Sequence, residues 1–157
     1  MPGIYLASKS PRRKEILESL EVDYKVLNYP HDESSPANSE SAFEFIERNT
    51  KEKSLSAFAY LQENEMQILP ILTADTLVSL DDRIFGKPDN NDHAISMLLE
   101  LSGQYHSVIS CVAIGVLDKT KSDIVNFNID IVETKVLFKT LTAYECKKYW
   151  ETKEPID

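Results

Sequence analysis

The chain has 157 residues, of which 42% are apolar and 27% are charged, a composition typical of one soluble globular domain. Its formal net charge of −9 argues against a general nucleic-acid binder, because such proteins carry a basic field. No apolar run approaches the length of a membrane span, and the two cysteines, Cys111 and Cys146, are not spaced as metal ligands. We therefore expect reduced thiols, a cytoplasmic location, and no membrane or stable nucleic-acid partner.

The first part of the chain is predicted to form a strand, a helix and a second strand. Residues 4–8 are a short buried strand, and residues 24–29 are the second. Between them, Ser10 is the predicted N-cap of a helix that has Pro11 at its first position. We expect the apolar residues of this helix to face the core, namely Ile16, Leu17 and Leu20.

A polar loop, a long helix and a central strand are predicted next. The loop covers residues 30–39 and the helix residues 40–61. Residues 68–80 are the most apolar stretch, which predicts a strand buried on both faces with Asp75 in its middle. The candidate buried residues of the long helix are Phe43, Ile46, Leu55, Phe58 and Leu61.

The second half continues the alternation of strands and helices. Over residues 124–139 the apolar positions change parity between Ile131 and Val132, which predicts a β-bulge or a bend. Interleaved helices and strands favour an α/β or α+β sandwich around one sheet. The other predicted elements are a turn at residues 81–82, a short strand ending at residues 86–88, a helix over residues 91–101, a strand over residues 108–117 and a helix from Thr142 to about residue 153.

A candidate anion site follows the first strand. The run from Ser8 to Arg13 enters a helix N-terminus, where backbone N–H groups lack intrahelical partners and the helix dipole favours an anion. Ser8 and Ser10 add hydroxyl donors, and Arg12 and Arg13 add guanidinium groups suited to phosphate oxygens. The alternative is an N-capped helix with two solvated arginines.

Asp75 is the second candidate, because an unpaired carboxylate inside a buried strand would be costly. It must lie at a strand end facing a cleft, pair with a base, or bind a metal. Thr76 supplies a further oxygen beside it. The alternative is a strand-end aspartate that pairs with a core arginine or caps a turn.

Weaker candidates lie elsewhere in the chain. Lys87 is fixed between a turn glycine and a proline, as a phosphate contact requires, although exposed turns of this kind are common. The Asp32-Glu33 pair could supply a second carboxylate or could be solvated loop. Lys53 has the default role of a helix-surface lysine. His106 could be a catalytic base, and the favoured alternative is that it orders a turn before a strand.

Known glycine-rich phosphate loops are absent from the sequence, which has only four glycines. A nucleophile-elbow motif is also absent. Arginines, lysines and carboxylates remain, and metal-assisted attack of water on a phosphoanhydride requires cations for the phosphates and carboxylates for the metal and the water.

These motifs, in this order, resemble the Maf family of nucleotide pyrophosphatases. Residues 6–13, Leu-Ala-Ser-Lys-Ser-Pro-Arg-Arg, are similar to the family's signature Leu-Ala-Ser-x-Ser-Pro-Arg-Arg. The resemblance continues through Ala-Asp-Thr at residues 74–76, Gly-Lys-Pro at residues 86–88 and Leu-Ser-Gly at residues 101–103. It extends to Thr-Lys-Val at residues 134–136 and thus spans essentially the whole chain.

The resemblance implies a role for each matching residue. Ser8, Ser10, Arg12 and Arg13 would bind the triphosphate, with Thr76 as a further substrate contact. Asp75 and Glu33 would be catalytic carboxylates that hold Mg²⁺ or Mn²⁺. Lys53 and Lys87 would contact phosphates during catalysis.

The resemblance also implies the activity and its branch, namely metal-dependent hydrolysis of nucleoside triphosphates to the monophosphate and pyrophosphate. Asp-Thr at residues 75–76 looks like the branch that acts on dTTP and UTP, whereas the 7-methyl-GTP branch typically has Asp-Gln there. That branch is one alternative activity, and a non-catalytic nucleotide-binding form is the other.

The resemblance further implies a fold similar to that of the inosine triphosphate pyrophosphatases. This is an elongated mixed β-sheet flanked by helices, with two lobes and a central cleft, often in a homodimer. Family members continue beyond the position matched by Asp157 with a further segment. We therefore expect residues 1–157 to be a single Maf-like domain that lacks the family's C-terminal segment.

Overall fold

The computed structural model describes residues 3–32, 34–81, 83–118 and 124–152. Strands and helices alternate along these residues much as predicted. In chain order the elements are β1 (Ile4–Leu6), α1 (Pro11–Ser19), β2 (Tyr24–Val26), α2 (Ala42–Glu63), β3 (Ile71–Leu80), β4 (Arg83–Phe85), α3 (Asn91–Leu101), β5 (Tyr105–Asp118), β6 (Ile124–Leu137) and α4 (Ala143–Glu151).

The strands form one mixed sheet in the order β2-β1-β3-β5-β6, with β4 antiparallel to β3. At one end of this order, β1 pairs in parallel with both β2 and β3. Leu6 lies opposite Val26 on one side and opposite Leu72 on the other. The carboxyl ends of β1 and β2 therefore lie at the same end of the sheet, and β3 runs past that end beside β1.

The chain divides into two compact units. The first consists of Met1–Thr76 and Ser110–Val132, and the second of Leu77–Ile109 and Glu133–Asp157. Among the described residues, no helix is both long and apolar enough to cross a membrane.

The core of the first unit forms where α2 packs on the sheet. Burial follows a regular stripe along α2 at spacings of three and four residues, as expected for one helix face. Tyr5, Leu27 and Ile71 meet this stripe from the strands. The buried stripe consists of Ala42, Phe45, Ile46, Asn49, Thr50, Ser54, Ala57, Phe58 and Leu61.

Two expected apolar faces were partly wrong. Ile16 and Leu20 are 56% and 65% exposed, because α1 turns Leu17 inward together with the side of the helix that carries Arg13. Phe43 and Leu55 are also exposed, at 44% and 47%, since the inward stripe of α2 contains small and polar residues instead. The other predicted residues of α2, Ile46, Phe58 and Leu61, are buried as expected.

β6 is one continuous strand, but its burial pattern changes as the sequence predicts. The odd positions from Val125 to Ile131 are half-buried, and the even positions Val136 and Phe138 are half-buried beyond them. The parity change therefore lies after Ile131, which agrees with the sequence pattern.

The second unit is built around helices α3 and α4, which pack on each other. Asn90 caps α3, and Thr142 and Glu145 form a capping box on α4. Gly103 follows α3 with a φ of +70°, a conformation that favours glycine after a helix. Both cysteines are free and buried, Cys146 on α4 and Cys111 in the first unit.

Close packing of α2 on β5 should make Gly115 intolerant of a side chain. A Cβ built on Gly115 lies 2.6 Å from Ser54 Oγ and 2.9 Å from Phe58 Cε2. We predict that Gly115→Ala destabilises the protein by about 1–3 kcal/mol in urea unfolding, since overpacked cores cost this much. Gly86→Ala is the control, because its Cβ would meet no atom within 4 Å. Equal stability of the two variants would contradict this packing.

Candidate active site

Three candidate features lie toward the end of the sheet where the chain leaves β1. They are the segment from Ser8 to Arg13, the loop after β2, and Asp75 of β3. The N–H of Ala7 donates to the carbonyl of Leu72 at 2.9 Å, so the chain from Ser8 onward leaves β1 beside the residues of β3 that precede Asp75. The N–H of Leu27 donates to the carbonyl of Leu6 at 2.9 Å, so the loop after β2 starts at the same edge. In open α/β sheets, ligands bind at the carboxyl ends of strands where successive connections run to opposite sides.

The segment after β1 is held by its own side chains. Ser8 Oγ accepts hydrogen bonds from the N–H of Ser10 at 3.2 Å and from Arg13 Nη1 at 2.9 Å. Ser10 is the N-cap of α1, but its hydroxyl makes no capping hydrogen bond. Arg12 is exposed in the first turn, and Arg13 is half-buried. Basic residues thus stand at the positive end of a helix dipole, an arrangement that an anion would stabilise.

Asp75 is paired, as one of the sequence alternatives requires. Its Oδ2 lies 3.1 Å from Lys53 Nζ, and Oδ2 also accepts a hydrogen bond from Asn49 Nδ2 at 2.5 Å. Oδ1 accepts from the N–H of Thr76 at 3.0 Å. The Lys53 and Asp75 side chains are 13% and 21% exposed, so this ion pair is screened less than a surface pair. Lys53 is therefore not a solvated surface lysine.

Thr76 lies at the end of this cluster. Its hydroxyl is 3.1 Å from Ser110 Oγ on β5, and its side chain is exposed. Two hydroxyl groups are thus available beside the Asp75 carboxylate, and either can donate to or accept from a polar ligand.

The loop after β2 is fastened to α2 by Arg48. Its guanidinium donates to both carboxylate oxygens of Glu40, at 2.7 and 2.8 Å, and to the carbonyl of Ser35 at 3.1 Å. The hydrogen bonds from Arg48 and from the N–H of Ala37 lower the pKa of Glu40 to about 2. Glu52 also accepts from Arg48, and the Ser34 hydroxyl hydrogen-bonds to it. This network fixes the part of the loop that follows the Asp32-Glu33 pair.

The remaining predicted residues are placed differently. Asp32 is exposed beside the loop network, and Glu33 lies outside the described residues. Lys87 belongs to the second unit, where its side chain is exposed after β4. His106 is only 4% exposed at the start of β5 and packs edge-on against Phe138, at 4.6 Å between ring centroids. That burial agrees with the structural role expected for His106.

The oxygen atoms near Asp75 are candidate ligands for a divalent cation. In the described part of the chain, no group of three His, Cys, Asp or Glu side chains could hold a metal ion. Asp75 nevertheless offers a carboxylate oxygen, Oδ1, which accepts the N–H of Thr76. Mg²⁺ is commonly held by one or two carboxylates together with water and substrate phosphates. The oxygen donors of this cluster fit an ion that is completed by a triphosphate.

Comparison with known proteins identifies the family of the chain. The sequence profile of the Maf family, described as "Maf-like protein", matches residues 3–157. The chain belongs to the Maf family.

Curated Maf relatives align along the whole chain. A protein of Photorhabdus laumondii named dTTP/UTP pyrophosphatase is 37% identical over 157 residues, which cover 100% of this chain and 74% of that relative. A protein of Aliivibrio fischeri with the same name is 35% identical over 154 residues, covering 98% of this chain and 76% of the relative. This chain thus spans about three quarters of the length of these relatives.

A solved structure confirms the predicted fold class. The Ham1 protein of Staphylococcus aureus matches 85% of this chain and 71% of its own, with a TM-score of 0.54 and 13% identity. At this identity the likeness shows the mixed α/β fold alone.

Asn49 is the residue of this Maf site that sequence analysis missed. It lies four residues before Lys53 on α2, so both side chains project from one helix face. An asparagine inside an otherwise buried stripe was the available signal, because buried amides need hydrogen-bond partners. Because the sequence analysis placed Phe43 and Leu55 on the buried face of α2, it did not recognise the buried amide of Asn49.

The pairing of Lys53 with Asp75 should be measurable as a coupling energy. We predict that a double-mutant cycle with Lys53→Met and Asp75→Asn gives about 1.5–3 kcal/mol in urea unfolding, the range for hydrogen bonds to charged groups. Lys148 and Glu151 form the control pair, with side chains 55% and 47% exposed. Their cycle should give at most about 1 kcal/mol. Indistinguishable couplings would show that the Asp75 pair is no stronger than a surface pair.

Proposed function

We propose that this chain is a metal-dependent nucleoside triphosphate pyrophosphatase that hydrolyses dTTP and UTP to the monophosphate and pyrophosphate. The observation that carries the proposal is that, in a member of the Maf family, β1 leads into an arginine-bearing helix N-terminus and its neighbour β3 carries a paired, partly buried carboxylate. The relatives named dTTP/UTP pyrophosphatase support the substrate class, and the Asp75-Thr76 pair supports the same branch.

Substrate binding falls to the segment after β1. The Ser8 and Ser10 hydroxyls, the Arg12 and Arg13 guanidiniums and the first N–H groups of α1 offer donors to the triphosphate oxygens. These local donors are required because the chain as a whole carries a net charge of −9 and does not attract polyanions. Lys87, which the family motif matches, stays a prediction from the sequence, and its side chain belongs to the second unit.

Hydrolysis requires a water oxygen to attack the α-phosphorus while the bond from that phosphorus to the bridging oxygen breaks. The Asp75 carboxylate orients the water and accepts its proton, and pyrophosphate leaves with the bridging oxygen. Lys53 pairs with the carboxylate and adds positive charge near the transferring group. A bound Mg²⁺ or Mn²⁺, held by Asp75 with Glu33, would supply Lewis-acid polarisation of the phosphate oxygens.

Two features of the protein in solution complete the proposal. We place its activity in the cytoplasm, since both cysteines are free and buried and the substrates are intracellular nucleotides. We also propose a homodimer, as is frequent among soluble enzymes.

The activity is tested by pyrophosphate release from dTTP, UTP, CTP, GTP and 7-methyl-GTP with Mn²⁺. We predict the highest rates with dTTP and UTP. Asp75→Asn should lower kcat by at least about 100-fold, the effect of removing a general base. Asp130→Asn, which changes an exposed aspartate on β6, should leave the rates unchanged and serves as the matched control.

The opposing results are equally specific. A folded wild-type protein that releases no pyrophosphate from any of these triphosphates would contradict the enzyme and leave a nucleotide-binding protein. Preference for 7-methyl-GTP would contradict the branch but not the reaction. Full activity of Asp75→Asn would show that the carboxylate is not the reacting group.

A further inference from the structure

Asn49 is buried, and among the described residues only the nitrogen of its side-chain amide has a hydrogen-bond partner. Its side chain is 3% exposed, and its Nδ2 lies 2.5 Å from Asp75 Oδ2. A carboxylate only accepts hydrogen bonds, so the amide nitrogen must face it and the amide oxygen must point away. That oxygen, Oδ1, is buried with no hydrogen-bond partner among the described residues. Such an orphaned atom is unfavourable and calls for a compensating role.

The two oxygens of Asp75 are not equivalent. Oδ2 accepts the hydrogen bond from Asn49 Nδ2 and also lies 3.1 Å from the Lys53 ammonium, so both partners from α2 are on this oxygen. Oδ1 receives only the N–H of Thr76 in the described structure. One lone pair of Oδ1 is therefore open to a water molecule or another ligand.

We propose that Asn49 is a positioning residue that locks the Asp75 carboxylate, so that Oδ1 is the oxygen directed at the reacting water. This inference rests on the proposed pyrophosphatase function and refines it. Lys53 alone would not define the rotamer, because an ammonium on a flexible chain follows either oxygen. The planar amide of Asn49, which is buried in the packed face of α2, distinguishes the two oxygens.

The neighbours of Asn49 on the same helix face show what a purely structural polar residue does there. Thr50 is fully buried, and its hydroxyl donates to the carbonyl of Ile46 one turn earlier, at 2.7 Å. It therefore satisfies its own polar group within the helix and does not contact Asp75. Thr50→Val is the matched control for any loss that comes only from disturbing this packed face.

Kinetics separate positioning from substrate binding. Asn49→Leu keeps the side-chain volume but removes the donor, and we expect kcat to fall about 10-fold or more, the usual effect of losing a group that orients a reacting one. KM should change less than about 3-fold, because the phosphate contacts after β1 are untouched. Thr50→Val should keep kcat within about 3-fold of wild type. Equal kcat losses in both variants, or none in Asn49→Leu, would overturn the proposal.

A swap of the two groups tests the hydrogen bond without relying on turnover. Asn49→Asp places a second carboxylate against Asp75, so we expect a clear loss in the urea midpoint. Asp75→Asn added to that variant restores one donor and one acceptor, and the midpoint should recover more than half of the loss. The swapped protein should still show less than about 1% of wild-type kcat, because the carboxylate no longer stands at position 75.

The outcomes distinguish this inference from the proposed function. No recovery of stability in the swapped protein would overturn the hydrogen bond and the positioning role with it. Substantial activity of the swapped protein would overturn the assignment of the reacting oxygen. If the wild-type protein releases no pyrophosphate, the proposed function fails, and a recovered midpoint still establishes the Asn49–Asp75 bond.

Discussion

Parallel pairing of β1 with both β2 and β3 is the constraint on which the candidate site depends. Leu6 lies between Val26 and Leu72, so the connections after β1 and β2 begin at one edge of the sheet. β3 carries Asp75 past the same edge. Backbone hydrogen bonds thus bring three features that are far apart in sequence to the same end of the sheet, namely a helix N-terminus, an acidic loop and a carboxylate.

Neighbouring polar groups offset the free-energy cost of burying Asp75, and the same groups set the orientation of its carboxylate. α2 contributes Lys53 and Asn49 from one face, and both reach Oδ2. A net charge of −9 makes such local compensation necessary, since the protein's overall field opposes any further negative charge. The polar groups on the packed face of α2 thereby connect the stability of the first unit to the chemistry of its site.

Much of the fold could be predicted from the sequence, because its signals were local. The N-cap Ser10, the box of Thr142 and Glu145, and the apolar run of β3 each specify an element through neighbouring residues. The inward faces of α1 and α2 could not be predicted in this way. On α1, Arg13 donates a hydrogen bond to Ser8, and the helix face that carries Leu17 turns inward while Leu20 is left exposed.

Sequence analysis finds candidate site residues that stand in a motif and misses a candidate that only tertiary contacts reveal. Ser8, Arg13 and Asp75 stand in recognisable runs of residues. The contact of Asn49 with Asp75 joins residues 26 positions apart and depends on the packing of α2 on β3. Spacing along α2 places Asn49 beside Lys53, but only the folded chain shows which carboxylate they share.

The central claim is that the segment after β1 and the Asp75 carboxylate act on one triphosphate. A crystal structure with α,β-methylene-dUTP and Mg²⁺ tests it most directly, because this analogue cannot be cleaved between the α- and β-phosphates. The account predicts phosphate oxygens within hydrogen-bonding distance of Arg13 and the first N–H groups of α1, with the α-phosphorus facing Asp75 Oδ1. A triphosphate bound elsewhere, or an α-phosphorus remote from Asp75, would contradict it.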